Sequence, residues 1–150
     1  ASGLTIGTAE SCTGGRISEA IIAIPGSSDY YKGGIVAYTD EVKVKLLGVS
    51  SEVLEEQTAV SEEVAREMVL GTLNAISVDF AIASTGYAGP GGGTKEAPVG
   101  TIWLAYGNRE EVRTFKLTED FGRDINLAIA TNKAIRLMLD FLKDMDIKSE

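Results

Sequence analysis

The chain has no histidine among its 150 residues. That absence removes the Ser-His-Asp triad, the Cys-His pair and every histidine-built metal site. Any general base has to be a lysine, a carboxylate, a tyrosine or a terminal amine. There is one cysteine, Cys12, which excludes an internal disulfide framework and favours a reducing, cytoplasmic setting. No apolar run approaches the roughly 18 residues that a membrane helix needs. The start, Ala1-Ser2-Gly3-Leu4, has neither the basic region nor the apolar stretch of a secretory signal. A soluble protein with no membrane partner is expected. Basic residues are also scarce, 14 against 22 acidic ones, for a net charge of -8. Binding to nucleic acid needs a basic patch, and the nearest approach to one, Lys43 with Lys45, lies beside Asp40 and Glu41. Nucleic acid is therefore not expected as a partner. A small anion remains compatible, because a nest of backbone N–H groups can outweigh net charge locally.

What is present suits one globular domain over residues 1–150, with 44% hydrophobic and 24% charged residues. Residues 4–8 alternate apolar and polar as a strand does. Thr13-Gly14-Gly15 makes a turn, and Ile17, Ala20, Ile21 and Ile24 recur at helical spacing until Pro25-Gly26. Residues 27–34 read as loop and 34–38 as a second strand. Asp40 is placed to cap a short helix closed by Gly48, and Ser51 to start another. A stronger helix opens at Ser61, with Val64, Met68, Thr72 or Leu73, and Ile76 on one stripe. Residues 78–83 form a short apolar run, as a buried strand would. Residues 99–106 and 111–117 pair as a hairpin across Gly107-Asn108. Ala128, Ile135, Met138 or Leu139, and Leu142 make the last helix amphipathic, and the acidic tail from Asp144 to Glu150 is expected to fray. This alternation predicts an α/β fold: three layers, α/β/α, around a mixed, mostly parallel sheet.

Three places carry chemistry. Thr8-Ala9-Glu10-Ser11-Cys12-Thr13-Gly14-Gly15 joins a strand to a helix start, where unpaired N–H groups and a partial positive charge gather. A hydroxyl there can attack a carbonyl while N–H groups hold the oxyanion; the plainer alternative is a cap and tight turn, with Ser11 and Thr13 as capping residues. Ala88-Gly89-Pro90-Gly91-Gly92-Gly93-Thr94 suits a loop wrapping a phosphate, or a flexible linker. It is not a Walker A loop, since no Gly-Lys-Ser/Thr ending follows. Lys43, after Tyr38-Thr39-Asp40-Glu41-Val42, is a solvated surface lysine unless it reaches Ser11, in which case burial can make it a base. Cys12 is read as packed, with a nucleophilic role as the lesser alternative. Tyr30 and Tyr31 are read as pocket or interface aromatics.

These stretches occur together and in order with Pro25-Gly26-Ser27-Ser28, Gly34-Ile35-Val36-Ala37, Ala59-Val60-Ser61 and Ser84-Thr85-Gly86-Tyr87. The set resembles the C-terminal domain family of the competence-damage protein CinA, whose stand-alone members include nicotinamide-nucleotide amidases. The resemblance covers nearly the whole chain. It implies a three-layer α/β/α fold and hydrolysis of nicotinamide mononucleotide to nicotinate mononucleotide and ammonia. It also implies a serine/lysine pair that matches Ser11 and Lys43, with no metal and no cofactor. Thr13, Gly14 and Gly15 would hold the oxyanion, and Tyr38, Thr39, Gly86, Gly89, Gly91, Gly92 and Arg123 would bind the nucleotide. A homodimer is expected. The alternative is a non-catalytic nucleotide-binding module of the same fold. Three departures from the family pattern stand out. The first strand comes almost at once where members carry a helix, so that one sheet face would be covered differently or by a partner. Leu127 or Ala128 stands where a basic residue is usual. Tyr87 stands where isoleucine is commoner.

Overall fold

The computed structural model describes residues 3–149, with side chains through 145. In chain order the elements are β1 (Ile6–Glu10), α1 (Arg16–Ile22), a short 3₁₀ turn at Ser27–Asp29, β2 (Tyr31–Val36) and α2 (Asp40–Leu47). There follow α3 (Ser51–Gln57), α4 (Glu62–Ala75), β3 (Phe80–Gly86), β4 (Ile102–Gly107), β5 (Val112–Leu117) and α5 (Arg123–Ser149). The strands form one sheet in the order β2-β1-β3-β4-β5. β1 is parallel to β2 and to β3, while β4 is antiparallel to both β3 and β5. β4 alone runs against the others, so the sheet is mixed as expected. Among the described residues no helix is long and apolar enough to cross a membrane.

Each face of the sheet has its own core. β3 shows why the pattern reads as a continuous apolar run: Ala81 and Ala83 belong to the core under α4, and Phe80 and Ile82 to the core on the opposite face. The α4 core takes Val64, Ala65, Met68, Val69 and Leu73 from α4 and Leu47 from α2. The other is built from Ile17 and Ile21 of α1 and from Leu127, Ala130, Ala134, Met138 and Phe141 of α5. Phe141 meets Phe80 and Tyr106 edge to face, both at 6.1 Å, contacts worth about 0.5–1.5 kcal/mol each beyond burial.

Several sequence expectations move. The buried stripe of α5 is Leu127, Ala130, Thr131, Ala134, Met138 and Phe141, whereas Ala128 is exposed and Leu139 is 54% exposed. Met138 is buried as expected and Ile135 and Leu142 pack partly buried against the same core, so the expected stripe errs at Ala128 and overlooks Leu127, Ala130 and Ala134. The helix also continues to Ser149, and Asp144 accepts from Arg113 at 2.9 Å. The expected fraying therefore fails over the described part, and Glu150 lies outside the described residues. Ile24 falls beyond α1 and is half exposed. β2 starts at Tyr31 inside the expected loop, because the Tyr31 hydroxyl reaches Thr8 Oγ1 at 2.9 Å and ties the edge strand to β1. The cap of α2 is Thr39, whose hydroxyl accepts from the Val42 N–H at 3.3 Å, and Asp40 is the first helical residue. The β4–β5 turn spans residues 108–111, held by Asn108 Oδ1 accepting from the N–H groups of Glu110 and Glu111. Most consequential is β1, which runs to Glu10, so the first three residues of the first motif are strand.

Candidate active site

Strand order determines where the motifs meet. β1 lies between β2 and β3. The crossover through α1 therefore leaves β1 in one direction, and the one through α2, α3 and α4 returns past it to the other side. Ligands in open α/β sheets bind in the crevice beyond the strand ends at such a reversal. Residues 11–15 follow β1, residues 37–43 follow β2, and the glycine loop follows β3, so all three open at the same end of the sheet. They enclose a cavity of about 390 Å³ lined by Ser11, Cys12, Tyr38, Asp40, Lys43, Ala59, Val60, Thr85, Gly86, Tyr87, Ala88, Gly89, Gly91, Gly92 and Arg123.

Ser11 and Lys43, 32 residues apart, meet there: Lys43 Nζ lies 3.0 Å from Ser11 Oγ. Lys43 is only 1% exposed, and its other neighbours are the carbonyls of Ala37 at 2.9 Å and Tyr38 at 3.3 Å. Burial pushes the Lys43 amine below the usual lysine range, against the opposing pull of Asp40 and then Cys12. A neutral amine has two hydrogens and one lone pair. With the two carbonyls accepting the hydrogens, the lone pair is left for the Ser11 hydroxyl, which then donates to Nζ. Cys12 is a different kind of group. Burial pushes its thiol up to about 12, with only small opposing pulls from its own backbone N–H and Ser84. It is a packed thiol, as the residue-level reading favoured.

The turn behind Ser11 is organised by Glu10. The Glu10 carboxylate is fully buried and accepts four hydrogen bonds. They come from Thr13 Oγ1 at 2.6 Å, the Ile17 N–H at 2.8 Å, the Ser18 N–H at 2.9 Å and the Ser18 hydroxyl at 2.6 Å. Gly15, the N-cap, offers no side chain and sits in the left-handed region at φ 107, so Glu10 caps α1 from inside the preceding strand. The expectation that Ser11 and Thr13 are the caps is therefore corrected. Thr13, Gly14 and Gly15 belong to the same turn. Thr13 is fully buried with its hydroxyl on Glu10 and 2.7 Å from Ser84 Oγ, the Gly14 N–H donates to the Ser11 carbonyl, and none of the three lines the cavity. The Ser11 N–H is engaged by the Ser84 carbonyl at 3.0 Å. Among the described residues the Cys12 N–H donates to no other residue.

The remaining expected residues divide. Gly86, Gly89, Gly91 and Gly92 line the cavity, and Gly89 and Gly92 occupy the left-handed region at φ 89 and 83. Arg123 reaches the loop from α5 and donates to the Gly89 carbonyl at 2.7 Å. Tyr38 stands at the mouth, 65% exposed. Thr39 does not line the cavity; its hydroxyl caps α2. Leu127 points into the core and Ala128 is on the surface, and neither lines the cavity. Sequence reasoning missed Asp40, Thr85, Tyr87 and Val60 as wall residues and Glu10 and Ser84 as supports. Thr85 Oγ1 donates to the Ala59 carbonyl at 2.8 Å, tying the start of α4 to the site. No group of metal-binding side chains occurs among the described residues.

A CinA-like protein of Leptospira borgpetersenii is 45% identical over 141 residues, 93% of this chain and 34% of its own. The chain thus spans about a third of the length of the curated relatives it matches. A crystallised CinA superfamily protein from Escherichia coli superposes with a TM-score of 0.88 at 38% identity, covering 92% of this chain and 80% of that one. The competence/damage inducible protein CihA from Agrobacterium tumefaciens gives 0.86 at 42% identity, covering 92% and 85%. The family model of the CinA C-terminal domain matches residues 1–142, and the chain belongs to that family.

Proposed function

We propose that this domain hydrolyses the carboxamide of nicotinamide mononucleotide, giving nicotinate mononucleotide and ammonia. The observation that carries the reading is the buried Lys43 amine 3.0 Å from Ser11 Oγ, with two backbone carbonyls accepting its hydrogens. That arrangement supplies a base where no histidine exists. The resemblance described above supplies the substrate, and the cavity of about 390 Å³ lies in the usual range for small-molecule sites.

In the proposed reaction, Lys43 takes the Ser11 proton as Oγ bonds to the carboxamide carbon. The oxyanion faces the Cys12 N–H; one such donor is typically worth about 3 kcal/mol of barrier. Lys43 returns the proton to the leaving nitrogen, ammonia departs and a nicotinoyl ester remains on Ser11. Water then attacks the ester with Lys43 again as base, and the ester oxygen recovers its proton. The glycine loop and Arg123 hold ribose and phosphate.

The test is ammonia release from nicotinamide mononucleotide by the parent, Ser11→Ala and Lys43→Ala, with folding checked by circular dichroism. Release by the parent alone is expected. Equal release by Ser11→Ala would reject the nucleophile, and near-normal turnover by Lys43→Ala would reject the base. Thermal protection by the nucleotide without ammonia would instead identify a binding module.

A further inference from the structure

The cavity wall carries charges of both signs, and their placement is uneven. Arg123 lies at the glycine-loop side, bound to the Gly89 carbonyl. Lys43 lies at the floor against Ser11. Among the described residues the only carboxylate on the wall is Asp40. As the first residue of α2, it stands three positions before Lys43 and so on the same helical face. Among the described residues Asp40 has no salt-bridge or hydrogen-bond partner for its side chain. An ionised carboxylate at this place is unhelpful for a ligand that is anionic throughout. It suits a ligand that is anionic at one end and cationic at the other.

We propose that Asp40 selects the charge of the ligand ring at the Ser11–Lys43 end of the cavity, favouring a cationic pyridinium over a neutral ring. The inference rests on the amidase reading and deepens it. A pyridinium nucleotide carries a fixed positive charge in the ring and a negative phosphate, and the wall offers Asp40 to the first and Arg123 to the second. Hydrolysis adds a carboxylate to a ring that keeps its positive charge, so the product ring is zwitterionic and loses most of its net attraction to Asp40. An aspartate in the first turn of a helix also interacts well with the helix dipole, so a purely structural role has to be separated from charge selection.

The oxidised and reduced forms of nicotinamide mononucleotide separate them. The two share every substituent, but the reduced ring is neutral. Dissociation constants for both are measured by calorimetry on Ser11→Ala, which prevents turnover, with and without Asp40→Asn. The expected result is that Asp40→Asn lowers the preference for the oxidised over the reduced form about three- to tenfold at low salt, and less at high salt. An unchanged oxidised-to-reduced ratio, including a loss of affinity equal for both forms, overturns the assignment of Asp40 and leaves the amidase reading standing. Failure of the parent to bind either form overturns both.

Discussion

Gly71 lies in the middle of α4 where that helix crosses the C-terminal end of α2, and replacing it by alanine measures how firmly Lys43 is held. A β-carbon at position 71 would meet the Leu47 carbonyl carbon at 2.7 Å and the Leu47 Cα at 2.9 Å, with the carbonyl oxygen closer still. These are backbone atoms and cannot rotate away. Restoring ordinary contact at 3.4–4 Å requires α2 to retreat by about 1.5 Å to clear the carbonyl oxygen. Lys43 is one turn before Leu47 on the same helix, and the Val49 N–H donates to the Lys43 carbonyl at 3.2 Å, so the lysine moves with it. A misplacement of about 1 Å in a catalytic pair costs on the order of 10²-fold in rate. Stability changes less: overpacking costs about 1–3 kcal/mol, offset by about 1 kcal/mol from removing glycine inside a helix. Gly71→Ala should therefore unfold within a few degrees of the parent while ammonia release falls by about two orders of magnitude. A variant about 1 kcal/mol more stable than the parent, with turnover retained, would refute the reasoning and show that α2 is not seated as a rigid body.

Three further outcomes are expected. Turnover needs the neutral Lys43 amine, so kcat/KM should rise with pH through a limb below that of an exposed lysine, and Asp40→Asn should move the limb lower still, since Asp40 opposes the effect of burial. Stability follows with the same sign. Between the lowered folded value and the unfolded one the unfolded chain binds more protons at Lys43, so the fold gains stability as pH rises through that window; a loss measured by denaturant titration across it would contradict this. Arg123→Ala should raise KM for the nucleotide at least tenfold, as the loss of a charged hydrogen-bond donor does, and leave hydrolysis of the phosphate-free riboside unchanged; equal effects on both would remove Arg123 from phosphate binding. Cys12, 8% exposed with its thiol pushed up to about 12, should resist alkylation at pH 8 until the protein is unfolded, and rapid labelling with loss of activity would reopen it as the nucleophile.

The elements legible in the sequence were those with strong local signals. Asp40 to Gly48 announced a short helix through its closing glycine, with the cap one residue earlier at Thr39, and the Ser61 stripe of Val64, Met68 and Leu73 is buried as expected. The α/β class followed from alternation, but the order β2-β1-β3 depends on long-range pairing that no window of sequence contains. That order is what brings Lys43 to Ser11, so their contact was visible only through family resemblance. The role of Glu10 was missed for a related reason. A buried carboxylate inside a strand is uncommon, and its partners Ile17 and Ser18 become visible only once α1 has turned back over the end of the strand. Among the described residues, of Thr13, Gly14 and Gly15 only the Gly14 N–H is taken up within the turn, by the Ser11 carbonyl, a contact that no sequence pattern announces.

Glu10 has a consequence for the hydrogens around it. A carboxylate only accepts, and the single hydroxyl hydrogens of Ser18 and Thr13 are both directed at it. Ser18 Oγ must then receive its hydrogen bond from Thr8, 2.7 Å away, and Thr8 in turn from Tyr31, 2.9 Å away. By the same counting Ser84 donates to Thr13 across 2.7 Å. Two chains of hydroxyls, one beginning at the sheet edge and one at β3, thus run in a single direction and end on one charge. A network with only one consistent arrangement of its hydrogens ties the turn that presents Ser11 to both neighbouring strands, through Tyr31 of β2 and Ser84 of β3.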